Sequence, residues 1–181
     1  TEIKVLANSQ TVGSYTVTAP ASATAGTAFN VTVKAYDAYG NFMNRYTPSG
    51  SVAVTVSGLS NSPNGTAPTY PTSASFTNGV ATISVTGYAS ESAALTVTNT
   101  AASVTGTSGT INISAGSVAS YILSGYPTSW PKLTNFNVTA TAYDSWGNVT
   151  TGGSSVSLSS VLTNTTTAEI NFTLSGGTSI N

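Results

Sequence analysis

Residues 29–41 read FNVTVKAYDAYGN and residues 136–148 read FNVTATAYDSWGN, a match at nine of thirteen positions with an offset of 107. Shared turn residues at the same spacing are hard to obtain from a common bias toward Thr and Val, so the chain holds two copies of one supersecondary unit. Upstream, Ser14-Tyr15-Thr16-Val17 is echoed by Ser120-Tyr121-Ile122-Leu123, which extends the repeat to a preceding strand. Within the first copy Phe29, Val31, Val33 and Ala35 alternate with Asn30, Thr32, Lys34 and Tyr36, and period 2 marks a strand with one buried face. In the second copy Phe136, Val138, Ala140 and Ala142 take the inward positions, with Asn137, Thr139, Thr141 and Tyr143 outward.

Each repeated strand ends in Asp-x-aromatic-Gly-Asn. The Asp carboxylate caps the turn backbone and the Gly tolerates positive φ, so Asp37 and Asp144 read as turn residues rather than catalytic acids. Further strands are expected at Val52 to Val56, Ala74 to Phe76, Val80 to Thr86, Ala94 to Thr98 and Thr110 to Ser114, divided by turns such as Asn61-Ser62-Pro63-Asn64-Gly65 and Asn78-Gly79. Short strands at this spacing, with no helical periodicity, predict an all-β chain of two immunoglobulin-like sandwiches. The first unit is expected over residues 13–118.

The second unit, residues 119–181, is much shorter. Its strands are expected at Tyr121 to Ser124, Asn135 to Tyr143, Val156 to Ser159 and Glu169 to Leu174, with nothing corresponding to the last two strands of the first unit. A sandwich that stops there leaves an open edge and an uncovered groove, lined by Phe136, Val138, Ala140, Ile170, Phe172 and Leu174. A spare strand precedes the first unit: in residues 1–12 Ile3, Val5 and Ala7 share one face. Insertion of that strand into the groove of another copy pairs the edge and covers the apolar face together. Head-to-tail repetition does not close, and yields a filament. The competing expectations are that residues 1–12 fold back as an ordinary first strand, or that the chain is a fragment of a longer protein.

Composition narrows the chemistry. Only 5% of residues are charged and the net charge is −1, which provides no basic face for nucleic acid or anionic lipid. There is no His and no Cys, so the usual metal ligands and the commonest general base are missing, and no cofactor or metal is expected. The five carboxylates, Glu2, Asp37, Glu91, Asp144 and Glu169, fall in separate strands or turns, so no acid and base pair is expected and the chain reads as non-enzymatic. No apolar run spans a bilayer, and no membrane insertion is expected. The chain begins at Thr, which fits a mature form freed of a leader and equally a sequence cut at an arbitrary boundary, and an extracellular, cell-surface location is expected.

Seven Asn-x-Ser/Thr sequons occur, at Asn30, Asn64, Asn112, Asn137, Asn148, Asn164 and Asn171. Asn30 and Asn137 occupy equivalent outward positions of the repeated strand, and Asn is a poor strand former, so outward Asn suits a glycan acceptor. Asn64 in its turn and Asn148 after its Gly are expected to be the most accessible. Lys34 and Lys132 are candidates for isopeptide crosslinks, but Lys34 is expected outward, whereas that reaction needs a buried Lys. Tyr126, Trp130 and Trp146 could form a sugar-stacking platform, although Trp146 replaces Tyr39 in the repeated turn, which favours packing.

Two resemblances follow from these residues. The Asp37 to Asn41 turn and the later Asn78-Gly79-Val80-Ala81-Thr82 resemble the immunoglobulin-like domains of bacterial and archaeal surface proteins, the invasin and intimin type in particular. The N-terminal strand, two sandwich units, low charge and sequons together resemble the thread pilins of Sulfolobales. That resemblance implies a glycosylated filament subunit joined by donor strands and serving adhesion or biofilm formation. The alternative is a monomeric carbohydrate-binding adhesin or a surface-layer-associated domain.

Overall fold

A computed structural model describes residues 11–125 and 138–151. Every regular element among them is a strand, in two compact units that divide between Ser114 and Ala115.

In the first unit β1 (Ser14–Thr18), β3 (Phe29–Tyr36) and β6 (Val80–Val85) form an antiparallel sheet in the order β1-β3-β6. The second sheet runs β2 (Ser22–Thr24), β8 (Val104–Ser114), β7 (Glu91–Asn99), β4 (Val52–Ser57), β5 (Ser73–Ala74). Its pairings are antiparallel except β2 with β8. Alternation decides which side chains meet: Val31, Val33 and Ala35 of β3 are fully buried and face a core that includes Val54, Val56, Leu95 and Val97 of the other sheet. Phe29, expected inward, is half-buried at the core's margin.

Polar groups inside the sandwich have partners, as burial demands. Asn99 Nδ2 donates to the Tyr15 hydroxyl at 3.1 Å, while Asn99 Oδ1 accepts from the backbone of Ala101 and Ala102. The Tyr15 ring stacks on Phe76 at 5.5 Å, and Tyr46 meets Phe76 edge-on at 5.3 Å. Between Ala94 and Thr96 the β7–β8 register shifts. There Leu95 N donates to Ser108 Oγ at 2.9 Å, so a buried side chain serves the amide that the bulge takes out of the ladder.

Outer faces carry hydroxyls in register. Thr55, Thr98 and Thr105 form one row across β4, β7 and β8, and Ser57, Thr96 and Thr107 form the next. Across the other sheet Thr18, Thr32 and Thr82 make a third.

The chain enters the first unit earlier than its sequence pattern indicates. Val12, assigned above to the N-terminal segment, is 7% exposed within the first core, and Gly13 N donates to Tyr36 O at 2.8 Å. The expected boundary at residue 13 therefore moves upstream, because an apolar side chain beside β1 gains more by entering that core than by staying in water.

In the second unit β9 (Ser120–Ser124) pairs antiparallel with β10 (Thr139–Tyr143). The expected strands at Val156 to Ser159 and Glu169 to Leu174 lie outside the described residues, as do residues 135–137 of the longer strand expected there.

Candidate functional site

The repeat reappears as geometry. β1 and β3 pair Ser14 with Tyr36, Tyr15 with Ala35 and Val17 with Val33. β9 and β10 pair Ser120 with Tyr143, Tyr121 with Ala142 and Leu123 with Ala140, which is the same register carried over. The turn backbones match. Asp37 N donates to Asn41 O and Asp144 N to Asn148 O, both at 3.0 Å, and Gly40 and Gly147 both have φ of 81°. A left-handed residue is required there, and glycine supplies it without steric cost.

Burial differs between the copies. Tyr15, Val17, Val33 and Ala35 are between 0% and 6% exposed. Their counterparts are not: Tyr121, Leu123 and Ala142 are half-buried and Ala140 is exposed. Ile122 of β9 is 54% exposed. Of the expected groove residues, Val138 is half-buried. Phe136, Ile170, Phe172 and Leu174, and the expected donor residues Ile3, Val5 and Ala7, lie outside the described residues.

The carboxylates among the described residues serve the backbone. Asp37 Oδ1 accepts from Tyr39 N and Asn41 N at 2.9 Å each, and Oδ2 from Asn41 Nδ2 at 3.1 Å. Asp144 Oδ1 accepts from Trp146 N and Asn148 N, and Oδ2 accepts from Asn148 Nδ2 and Gly116 N, both at 2.8 Å. Glu91 Oε1 accepts from Ser60 N at 2.8 Å and anchors the loop after β4. Among the described residues no group of three or more His, Cys, Asp or Glu side chains is placed to hold a metal ion.

These bonds shift both turn aspartates. The backbone and side-chain bonds from Asn41 hold Asp37 below the ordinary carboxylate range. For Asp144, burial pushes upward, but the bonds from Asn148, Gly116 and Trp146 outweigh it and the net direction is down. A carboxyl with a depressed folded pKa contributes stability that is present above its unfolded value of about 3.9 and is lost as pH falls through the folded value. Unfolding midpoints in urea are therefore expected to stay level from about pH 8 to about pH 5 and to fall only below about pH 4. A steep fall above that window would show that other groups dominate the titration.

Four sequons lie within the described residues. Asn30 is exposed on the outer face of β3. Asn112 is exposed on β8, where its Oδ1 accepts from Ser92 Oγ. Asn64 is exposed, and its Oδ1 accepts from Ser62 Oγ at 2.6 Å and from its own sequon hydroxyl, Thr66 Oγ1, at 2.8 Å. Asn148 corrects the expectation of high accessibility: it is 3% exposed and its Nδ2 donates to Asp144. The bond to Asp144 folds the Asn148 side chain inward beneath the turn. Asn137, Asn164 and Asn171 lie outside the described residues.

Lys34 is exposed, as expected from its outward phase. Tyr39 is 91% exposed and Phe42 42%, with Phe42 packed on Tyr36 at 5.7 Å. Packing therefore does not account for Tyr39, although Trp146 in the matching position is half-buried. Tyr126, Trp130 and Lys132 lie outside the described residues.

No family model and no curated protein matches the chain. Among solved structures it is similar to the surface layer protein SbsC. Domains 1–6 of that protein match at 22% identity over 83% of this chain and 18% of that one, with a TM-score of 0.37. Domains 5–6 match at 19% identity over 85% of this chain and 80% of that one, also with a TM-score of 0.37. The chain thus spans about a fifth of the length of the first SbsC structure.

Proposed function

We propose that the chain is a non-enzymatic structural subunit of an extracellular, glycosylated filament that polymerises head to tail by donor-strand complementation. One observation carries this reading: the β9–β10 pair repeats the register of the buried β1–β3 pair, yet its inner face is half-buried to exposed. A strand pair built to the pattern of a core, but not fully buried among the described residues, can be completed by apolar side chains from elsewhere. The occupant is the N-terminal segment of a second copy, with Ile3, Val5 and Ala7 as its inward side chains. A non-enzymatic role is supported by Asp37, Asp144 and Glu91, whose carboxylates are occupied by backbone N–H groups.

Cryo-electron microscopy of natively purified material tests the reading by locating residues 1–12. Density for Ile3, Val5 and Ala7 against β9 and β10 of a neighbouring subunit is the expected result. Monomers in which that segment pairs within its own chain would overturn it. A second reading, a carbohydrate-binding adhesin, is favoured by the exposed Tyr39 in the Asp37 turn, since an exposed aromatic ring suits sugar stacking. Loss of glycan-array binding in Tyr39→Ala, with the fold retained, is its signature.

Glycan occupancy follows from the sequon geometry. Glycans attached to the folded chain are expected at Asn30, Asn64 and Asn112, which are exposed, and not at Asn148, which is enclosed. Mass spectrometry of glycopeptides checks this. A fully occupied Asn148 would mean that attachment precedes closure of the Asp144 turn.

A further inference from the structure

Asn78 and Gly79 form the tip of the turn that leads into β6, where Thr77 N donates to Val80 O at 2.9 Å and Val80 N to Thr77 O at 3.1 Å. Both central residues are left-handed, with φ of 51° and 79°. A two-residue turn of that hand matches the twist of its flanking strands and selects Asn-Gly. The same dipeptide has a chemical consequence, because glycine leaves its own backbone nitrogen unshielded toward the carboxamide of the preceding Asn.

The turn is not free to react as an open peptide would. Gly79 is buried, while Asn78 is exposed. Gly79 N donates to Tyr46 O at 2.8 Å, Gly79 O accepts from Ala35 N at 2.9 Å, and Asn78 N donates to Thr47 Oγ1 at 3.0 Å. The segment from Met43 to Thr47 thus lies over the turn and holds both of its amides. The approach is close, since a Cβ on Gly79 would lie 2.3 Å from Met43 O and 3.1 Å from Phe42 Cε2. The other Asn-Gly pair, Asn64-Gly65, is different: Gly65 is exposed, and its N–H goes to Ser62 O within its own turn.

We infer that Asn78 is a modification site that the segment from Met43 to Thr47 keeps latent, and that release of this segment allows its conversion to aspartate and isoaspartate. Gly79 N gives its proton to water or hydroxide and attacks Asn78 Cγ. The N–Cγ bond forms, the Cγ–Nδ2 bond breaks, and ammonia leaves after taking a proton back from water, which gives a succinimide. Water then opens the ring at either carbonyl, and nothing is oxidised or reduced. While the Gly79 N–H is directed to Tyr46 O, neither its proton nor its lone pair is available for that attack. Isoaspartate inserts a methylene into the backbone and adds a carboxylate, so the facing bonds of Thr77 and Val80 cannot re-form and Gly79 cannot return to Tyr46 O. Opening of this corner of the first unit is thereby recorded irreversibly.

Peptide mapping that scores aspartate and isoaspartate at residue 78 tests this on the full-length protein held in mildly alkaline buffer. Conversion in the native chain is expected to be at least about tenfold slower than in the guanidinium-unfolded chain, a ratio set by how seldom the turn opens. Thr47→Ala removes the acceptor of Asn78 N and should raise the native rate about two- to tenfold, the scale of one hydrogen bond, while leaving the unfolded rate unchanged. Thr47→Ser keeps the hydroxyl and should restore the native rate. Slow amide exchange at Val31 and Val33 in each native sample verifies that the first sandwich is folded. Equal rates in native and unfolded chains overturn the latent site, as does a native rate that Thr47→Ala leaves unchanged.

Discussion

Deletion of residues 1–9 is expected to abolish polymerisation while leaving the first sandwich at native stability. The segment's apolar side chains Ile3 and Val5 each stand to gain roughly 1.5–3 kcal/mol on full burial in a groove, and in the proposed filament that strand is what joins one subunit to the next. Among the described residues, by contrast, the first core begins at Val12, and none of those members is removed by the deletion. Electron microscopy and sedimentation should show monomers, and the unfolding midpoint of the first unit should move by no more than about 0.5 kcal/mol. A synthetic peptide of residues 1–9 should bind the second unit and block growth of the intact protein. Persistent filaments of the truncated chain would place the junction elsewhere, and a large loss of stability would mean that the segment belongs to its own first unit.

Leu95→Ala is expected to have the largest effect on the fold. Leu95 is fully buried on β7, the middle strand of the five-stranded sheet, where it faces the other sheet across the core. Truncation there should cost about 2–5 kcal/mol through lost transfer energy and the cavity left behind. For a unit of this size that lowers the melting temperature by roughly 10–20 °C. The outward neighbour Thr96 provides the contrast: it is half-buried, and its Oγ1 lies 3.2 Å from that of Thr107, so Thr96→Ala should stay within about 0.5 kcal/mol. Calorimetry of the two variants separates them. Equal losses would mean that the outer hydroxyl rows hold the sheet together as much as the core does.

Strands with an alternating apolar face were legible in the sequence, and β1, β3, β4 and β6 fall close to their expected positions because Val, Ile and Tyr mark one face at every second residue. β2 was not, since Ser22-Ala23-Thr24 has no apolar side and is held by parallel pairing with β8. The first half of β8 was hidden as well. Gly106 and Ser108 take its inward positions, and the register shift opposite Leu95 breaks the alternation before Ile111 restores it. A side chain on Gly106 would lie 2.4 Å from the Tyr15 carbonyl oxygen, so the close approach of β1 selects a residue that carries no hydrophobic signal. At the candidate site, the Asp turns were readable from Asp-x-aromatic-Gly-Asn, but the enclosure of Asn148 was not. Asn148 donates to the Asp144 carboxylate, which also accepts from Gly116, 28 positions ahead of Asp144 in sequence.

The outer hydroxyl rows of the first sandwich have a consequence for material behaviour. Faces solvated mainly by Thr and Ser, with few charges such as Lys34 among them, hold a thin counterion cloud, so their contacts with neighbouring strands or surfaces have little electrostatic energy for salt to screen. Fibres clad in this way should keep the same spacing and stiffness in dilute water and in brine.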